Sequence, residues 1–220
     1  NNQAEIMKLQ LEGKTLVGVA AQFHHCYQSL GYFAIADQLR ATSKQAIQRI
    51  QAMGIEVIML TGDNVATATA IAKQVGIMDY RAEVLPQDKA AVVIKIKSQG
   101  KYTGMIGDGI NDAPALAAAD VSFAIAAGSD VAIEAADITL MRNDLMGVAD
   151  AIALSRATLR KIRQNLFFAF IYNALGIPIA AGLLYPFTGL LLNPIIAALA
   201  MSLSSVSVIG NALRLRRLKL

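Results

Sequence analysis

The chain has 220 residues, of which 55% are hydrophobic and 16% charged, against roughly 45–50% and about 25% in soluble domains. The excess is local, because residues 166–213 contain no Asp, Glu, Lys, Arg or His. This distribution excludes a wholly soluble chain and predicts a membrane segment attached to a soluble domain. The single cysteine excludes an internal disulfide framework and fits a reducing compartment.

The net charge of +4 comes mainly from two basic clusters on either side of the charge-free stretch. They are Arg156, Arg160, Lys161 and Arg163 before it, and Arg214, Arg216, Arg217 and Lys219 after it. A nucleic-acid surface is the alternative reading, but basic residues beside apolar spans are typical of cytoplasmic flanks held near anionic lipid. We therefore expect the lipid bilayer as a partner, and no nucleic acid.

The soluble part alternates apolar runs with helical patterns. Two β-rich runs at residues 14–21 and 30–36 flank a polar loop at 22–29. Further strands are predicted at residues 55–60, 102–106, 121–125 and 138–140. Helices are predicted at residues 43–53, capped by Ser43, and at 65–75, 86–98 and 112–119. This alternation predicts an α/β domain with a parallel sheet and helices on both faces.

The charge-free stretch divides into two apolar segments joined by a tight turn at residues 185–189. Residues 166–184 and 190–213 would form helices of about 28 Å and 36 Å, close to the ~30 Å hydrocarbon thickness. The basic flanks place both outer ends in the cytoplasm. The sequence therefore predicts a two-helix transmembrane hairpin.

Two turns rich in carboxylates follow predicted strands. Thr61, Gly62 and Asp63 come after the strand at 55–60, and the segment GDGIND at 107–112 comes after the strand at 102–106. Open α/β sheets bind ligands at the carboxyl ends of their strands. Hard carboxylate oxygens suit Mg²⁺, while hydroxyl, amide and lysine donors suit a phosphoryl group. Each motif alone is an ordinary turn, but their joint occurrence favours a site.

The motifs TGDN at 61–64, PQDK at 86–89 and GDGINDAPAL at 107–116 appear in that order. Together, TGDN and GDGINDAPAL resemble the phosphorylation domain of P-type ATPases, a branch of the haloacid-dehalogenase-like superfamily. The resemblance covers essentially the whole chain and implies ATP and Mg²⁺ as cofactors, with Asp108 as the Mg²⁺ ligand. The site residues that it implies are Thr61, Gly62, Asp63, Lys89, Asp108, Asn111 and Asp112 as catalytic, with Gly107 and Gly109 at the cofactor.

The same resemblance implies a division of the chain into four parts. Residues 1–36 would end the nucleotide-binding insertion, 37–150 would form the phosphorylation domain, 151–165 a basic linker helix, and 166–220 the hairpin with its cytoplasmic tail. The family's phosphorylated aspartate lies in a DKTGT motif, which this sequence lacks, so we expect the chain alone to be inactive. Two smaller departures are Gln38, where the family usually has proline after Asp37, and a glycine-poor loop at 126–130.

The hairpin contains residues suited to a soft metal ion. Met201 and Ser205 are four residues apart and share a helix face. A thioether suits Cu(I), whereas Ca²⁺ or Mg²⁺ would require carboxylates, which the hairpin lacks. Tyr172 and Asn173, with the MxxSS pattern at 201–205, resemble the last two membrane helices of Cu(I)-transporting heavy-metal ATPases. This resemblance implies that Tyr172, Asn173, Met201 and Ser205 contact Cu(I), or equally Ag(I), on its exit path, with a cysteine pair on another helix.

Other polar residues have simpler interpretations. Ser202, Ser204 and Ser207 are expected to bond backbone or neighbouring helices. The adjacent residues His24, His25 and Cys26 are expected to form a loop, because neighbours in sequence do not easily face one ion.

The sequence thus predicts a fragment of an ATP-driven Cu(I) export pump in a bacterial inner membrane, with its soluble part in the cytoplasm. Its partners would be the actuator domain, the nucleotide-binding domain and the other membrane helices of the pump, and a soluble copper chaperone is a further candidate. The alternatives are a membrane-anchored phosphatase of the same superfamily and a non-catalytic or split-gene membrane subunit.

Overall fold

The computed structural model describes residues 2–11, 14–23, 26–35, 39–108, 110–125, 130–182, 185–189 and 194–217. The chain divides into two compact units, Asn1–Ala149 and Asp150–Leu220. The first unit contains every strand that the structure describes.

The first unit begins with helix α1 (Asn2–Leu11) and an antiparallel ribbon of β1 (Thr15–Phe23) and β2 (Cys26–Ile35). Phe23 pairs with Cys26, so the predicted eight-residue loop at 22–29 is wrong: residues 22 and 23 belong to β1, and residues 26–29 belong to β2. Tyr27 is 78% exposed and Phe33 67% exposed. A ribbon with both faces accessible needs no strict alternation of polar and apolar residues, and the polar residues at 27–29 are therefore accommodated in a strand.

A small parallel sheet follows. It consists of helix α2 (Ser43–Ala52), strand β3 (Ile58–Leu60), helix α3 (Val65–Val75) and strand β4 (Asp79–Arg81), with β3 pairing β4. Helix α3 has the predicted bounds and ends at Gly76, whose φ of 82° is the left-handed conformation that glycine adopts without strain. Thr42, rather than Ser43, occupies the N-cap of α2, so the predicted serine cap is wrong. Ser43 is instead buried.

A second parallel sheet holds β5 (Gly104–Gly107), β6 (Val121–Ile125) and β7 (Ile138–Leu140) in that order. The helices along this part are α4 (Pro86–Ser98), α5 (Ala113–Ala118) and α6 (Asp130–Glu134). A buried cluster of Val93, Met105, Ala115 and Leu116 packs α4 and α5 on β5. The predicted α/β architecture with a parallel sheet is confirmed, although its described strands form two sheets.

A side-chain carboxylate links two neighbouring strands of the second sheet. Asp137, just before β7, accepts hydrogen bonds from the hydroxyl and the backbone N–H of Ser122 in β6, at 2.8 Å and 2.9 Å. The Ser122 hydroxyl, followed by its backbone N–H, lowers the pKa of Asp137 below its ordinary value. These bonds join the amino ends of β6 and β7.

The second unit is helical. Helix α7 (Met146–Ala180) has 35 residues, α8 (Tyr185–Thr188) is one turn, and α9 (Pro194–Leu213) has 20 residues. The predicted linker at 151–165 and most of the predicted first membrane helix form one continuous helix, because no residue between them breaks it. None of the helices in the described ranges combines the length and apolarity needed to cross a membrane. The transmembrane hairpin is therefore not confirmed and stays a prediction.

Candidate active site and metal path

The TGDN turn directly follows β3 and is closed by its own side chains. The Thr61 hydroxyl donates to Asp63 Oδ2 at 2.7 Å and accepts from the Asp63 N–H at 3.1 Å. The Thr61 backbone is fixed by hydrogen bonds with the carbonyl of Arg81 and the N–H of Val84, each at 3.0 Å. Gly62 is exposed. The turn therefore presents the Gly62 backbone on a rigid support.

The fourth motif residue starts the next helix. Asn64 Oδ1 accepts a hydrogen bond from the Thr67 N–H at 2.9 Å, which caps α3. The Thr67 hydroxyl is buried, and within the described ranges it has no hydrogen-bond partner, which is costly for a polar group. Thr67 is a candidate site residue that the motif analysis missed. Its signal was a hydroxyl residue in the first turn of a helix that follows a predicted ligand loop.

The GDGIND segment lies at the end of β5 and is joined to α4 by an ion pair. Lys89 Nζ donates to Asp112 Oδ1 at 2.7 Å, and Asp112 is only 8% exposed. The Asp108 N–H approaches Asp112 Oδ2 at 3.4 Å. The sequence predicted Lys89 and Asp112 as site residues, and the structure shows that the charge of Lys89 is held by Asp112.

Asp108 differs from Asp112 in its accessibility. Asp108 is exposed, and its carboxylate accepts no hydrogen bond from any described residue. A free carboxylate beside a fixed loop fits Mg²⁺, which prefers hard oxygen ligands and retains several waters. Asn111 is also exposed and lies in a 3₁₀ turn (Ile110–Asp112), while Gly109 lies outside the described residues.

The structure thus assembles two groups of predicted residues. Lys89, Asp108 and Asp112 form one group at the end of β5, and Thr61 with Asp63 forms the other at the end of β3. Among the described residues no hydrogen bond joins the two groups. Their convergence on one phosphoryl group stays a prediction.

Gly107 is required by the close approach of Asp112. A Cβ built at Gly107 would lie 2.6 Å from Asp112 Cβ and 3.0 Å from its Oδ2. We expect Gly107→Ala to displace Asp112, weaken its pair with Lys89 and destabilise the chain by about 1–3 kcal/mol, as overpacking does. Urea unfolding measures the loss. The matched control is Gly104→Ala in the same strand, whose Cβ would be 3.8 Å from the Val121 carbonyl; equal stability of the two variants would contradict this account.

The predicted metal-path residues lie on the two long helices of the second unit. Tyr172 is half-buried in α7, while Asn173 and, in α9, Ser205 are exposed. Asn173 Nδ2 donates to the Ala169 carbonyl of its own helix at 3.1 Å. Met201 lies in α9, and its side chain is outside the described part of the structure.

Two of the three neighbouring serines bond the backbone, as the sequence analysis expects. Ser202 and Ser207 donate to the carbonyls of Ala198 and Leu203, four residues earlier, at 3.0 Å and 2.8 Å. Cys26 is exposed and forms no disulfide. His24, His25, Asp37, Gln38 and residues 126–129 lie outside the described residues.

Comparisons with known proteins show the family of the chain. A family profile described as haloacid dehalogenase-like hydrolase matches residues 1–120, and a second profile of the same description matches residues 90–152. The probable copper-transporting ATPase PacS of Synechococcus elongatus is 58% identical over 205 residues, which are 93% of this chain and 27% of that protein. The silver exporting P-type ATPase of Salmonella typhimurium is 52% identical over 220 residues, 100% of this chain and 26% of that protein.

Among solved structures, a zinc-transporting PIB-type ATPase in its E2.Pi state aligns with a TM-score of 0.76 and 37% identity. The match covers 97% of this chain and 33% of that one. The chain therefore belongs to the haloacid dehalogenase-like hydrolases. Within that family the predicted resemblance to heavy-metal-transporting P-type ATPases, and most of all to the copper group, is confirmed. The chain spans about a quarter of the length of the curated relatives it matches, at 27% and 26%.

Proposed function

We propose that this chain supplies the phosphorylation domain and the last membrane hairpin of an ATP-driven Cu(I) export pump. The observation that carries the proposal is the group of Lys89, Asp108 and Asp112 at the carboxyl end of β5, in a chain of this family. The pump would hydrolyse ATP through a phosphorylated aspartate outside these 220 residues. The proposal includes three domain boundaries, which lie between residues 36 and 37, between 150 and 151, and between 165 and 166.

Each residue of the group has a distinct task in phosphoryl transfer. Asp108 would hold Mg²⁺, and Asp112, pinned by Lys89, would keep the loop in position through the Asp108 N–H. The Thr61 hydroxyl and the Gly62 backbone would contact phosphoryl oxygens. Bound Mg²⁺ would neutralise charge on the transferring group, which is the main requirement of this chemistry.

The two sheets offer a place for the missing aspartate. Strands β3 and β5 each border a parallel sheet, and among the described strands neither has a partner on its other side. Lys101 and Glu56, which precede β5 and β3, form an ion pair at 2.6 Å. An extended Lys–Glu pair can span about two interstrand spacings of ~4.8 Å. This supports a further parallel strand between β3 and β5, with an aspartate at its carboxyl end.

The hairpin is supported by composition and exposure. Large apolar side chains are exposed along the charge-free parts of α7 and α9, namely Leu166, Phe167, Phe170, Leu175, Ile177, Leu203, Val206, Ile209 and Leu213. Lipid and the other membrane helices of the pump would cover them. The basic flanks favour a pump in the inner membrane of a bacterium, with its soluble part in the cytoplasm. The actuator domain, the nucleotide-binding domain and a soluble copper chaperone are the further partners we propose.

The choice of ion rests on donor chemistry. Met201 is the only sulfur-bearing residue between residues 166 and 213, and this stretch has no carboxylate. Soft thioether donors favour Cu(I) or Ag(I) over divalent ions. Asn173 and Ser205 are exposed in this chain, so a metal ion that is also bound by helices outside the chain could reach them. The copper and silver relatives are closer in identity than the zinc-transporting structure.

A substitution at Met201 tests this proposal. In the full-length pump we expect Met201→Leu to lower Cu(I)-stimulated turnover roughly tenfold or more, because losing one soft ligand leaves only oxygen donors in the hairpin. Leucine keeps about the same volume, whereas alanine could cost ~2–5 kcal/mol of packing and mimic a transport defect. Ser202→Ala is the matched control, because the Ser202 hydroxyl bonds its own helix. Wild-type copper turnover in Met201→Leu would remove the main support for Cu(I).

A further inference from the structure

The second unit has an unusual core. Of its residues whose burial the structure describes, only Asn211 is buried, with 7% of its surface exposed. Asparagine is mostly exposed in folded proteins unless its polar groups are paired. The buried amide of Asn211 therefore marks a specific contact in this helical unit.

The side chain of Asn211 joins the two long helices through both ends of its amide. Its Oδ1 accepts a hydrogen bond from Lys161 Nζ at 2.9 Å, and its Nδ2 donates to Asn165 Oδ1 at 2.8 Å. Lys161 and Asn165 are four residues apart on α7 and share one face. These three residues are called the polar node below.

Half-buried residues continue along both helices from the polar node. They include Lys161, Asn165, Phe168, Tyr172 and Ile179 on α7, Ser204 and Val208 on α9, and Leu215 just after α9. Steps of three, four and seven residues are the pattern of two helices packed along a seam. A single buried asparagine on such a seam is known to fix the register of helix pairs.

The register set by the node matches the proposed metal path. Tyr172 lies seven residues after Asn165, and Ser204 lies seven residues before Asn211, so each is about 10.5 Å from the node at 1.5 Å per residue. On the same scale Asn173 is about 12 Å from the node, Ser205 about 9 Å and Met201 about 15 Å. In an antiparallel hairpin these residues lie at similar heights.

We propose that Asn211 is a positioning residue that locks the register of α9 against α7 and so sets Met201 and Ser205 level with Tyr172 and Asn173. The consequence for metal transport rests on the proposed function, while the register itself does not. Within the second unit, the hydrogen bonds of the polar node join α9 directly to α7.

Disulfide crosslinking measures the register of α9 against α7 directly. In the 220-residue chain with Cys26→Ser, the pair Tyr172→Cys and Ser204→Cys should oxidise to a crosslink roughly tenfold faster than the pair Leu175→Cys and Ser204→Cys, which lies off the seam. Adding Asn211→Leu should abolish this preference, because leucine packs on the seam without specifying its register. Gln164→Ala is the matched control, since it removes a contact of Lys161 within α7, and it should leave the preference intact.

The second variant pair separates hydrogen bonding from packing. Asn165→Asp keeps an acceptor for Asn211 Nδ2 and should preserve the preference, whereas Asn165→Leu should weaken it. The register lock would be overturned if Asn211→Leu left the crosslinking preference unchanged, or if the parent chain showed no such preference. In the full-length pump the same Asn211→Leu change should raise the Cu(I) concentration for half-maximal turnover roughly tenfold. In a double variant with Met201→Leu, Asn211→Leu should cause little further loss of turnover, because the effects of coupled residues are not additive. A normal crosslink pattern together with no Cu(I)-stimulated turnover in the full-length pump would instead contradict the proposed function.

Discussion

Asp108→Asn in the full-length pump is expected to lower ATP-dependent phosphorylation by at least about a hundredfold, the usual scale for losing one preorganised charge-stabilising group. The carboxylate of Asp108 is exposed and accepts no hydrogen bond from the described residues, whereas Asp112 is committed to Lys89. Asparagine keeps the shape but removes the charge that would hold Mg²⁺. The measurement is the amount of acid-stable phosphoenzyme formed from labelled ATP.

Folding and charge effects can be separated from this loss. Because Asp108 lies at the surface, Asp108→Asn should change the free energy of unfolding by less than about 0.5 kcal/mol. Asp79→Asn is the matched control, since Asp79 is exposed at the first position of β4, at the opposite end of its strand from the proposed site. A phosphoenzyme level in Asp108→Asn close to that of Asp79→Asn would show that Asp108 does not hold the metal.

The elements that could be predicted were those with local start and stop signals. Helix α3 lies between a capping asparagine at 64 and a left-handed glycine at 76, and β6 and β7 are apolar runs bounded by loops. Strand β4 was missed because the run Asp-Tyr-Arg at 79–81 has no apolar signal and is a strand only through its pairing with β3. The length of α7 was missed because the change from basic to apolar composition alters the surroundings of a helix without interrupting its hydrogen bonds.

The motifs predicted residues for the candidate site but not the contacts among them. The motifs placed Asp108, Asp112 and Lys89 in one site, but sequence spacing gave no reason to pair Lys89 in α4 with Asp112, 23 residues away. That pairing depends on the packing of α4 and α5 against β5. Thr67 and the polar node at Asn211 were missed for the same reason, since burial arises only from tertiary packing.

The central claim is that this chain carries half of a phosphorylation site and needs an aspartate from outside its 220 residues. No DKTGT motif occurs in the sequence, and the edges of β3 and β5 remain unpaired among the described strands. We therefore expect the chain alone to form no phosphoenzyme. Of the other described carboxylates in the motifs, Asp63 is bonded to Thr61 and Asp112 to Lys89, while the free carboxylate of Asp108 would be occupied by Mg²⁺.

The direct measurement is incubation with labelled ATP and Mg²⁺, with and without Cu(I), followed by acid gel electrophoresis. The account predicts no label on the 220-residue chain and a Cu(I)-dependent, hydroxylamine-sensitive label on the full-length pump, at an aspartate outside residues 1–220. Addition of a separate polypeptide that carries the DKTGT strand should restore labelling of that polypeptide in the presence of the chain. A stable label on the 220-residue chain itself would contradict the account.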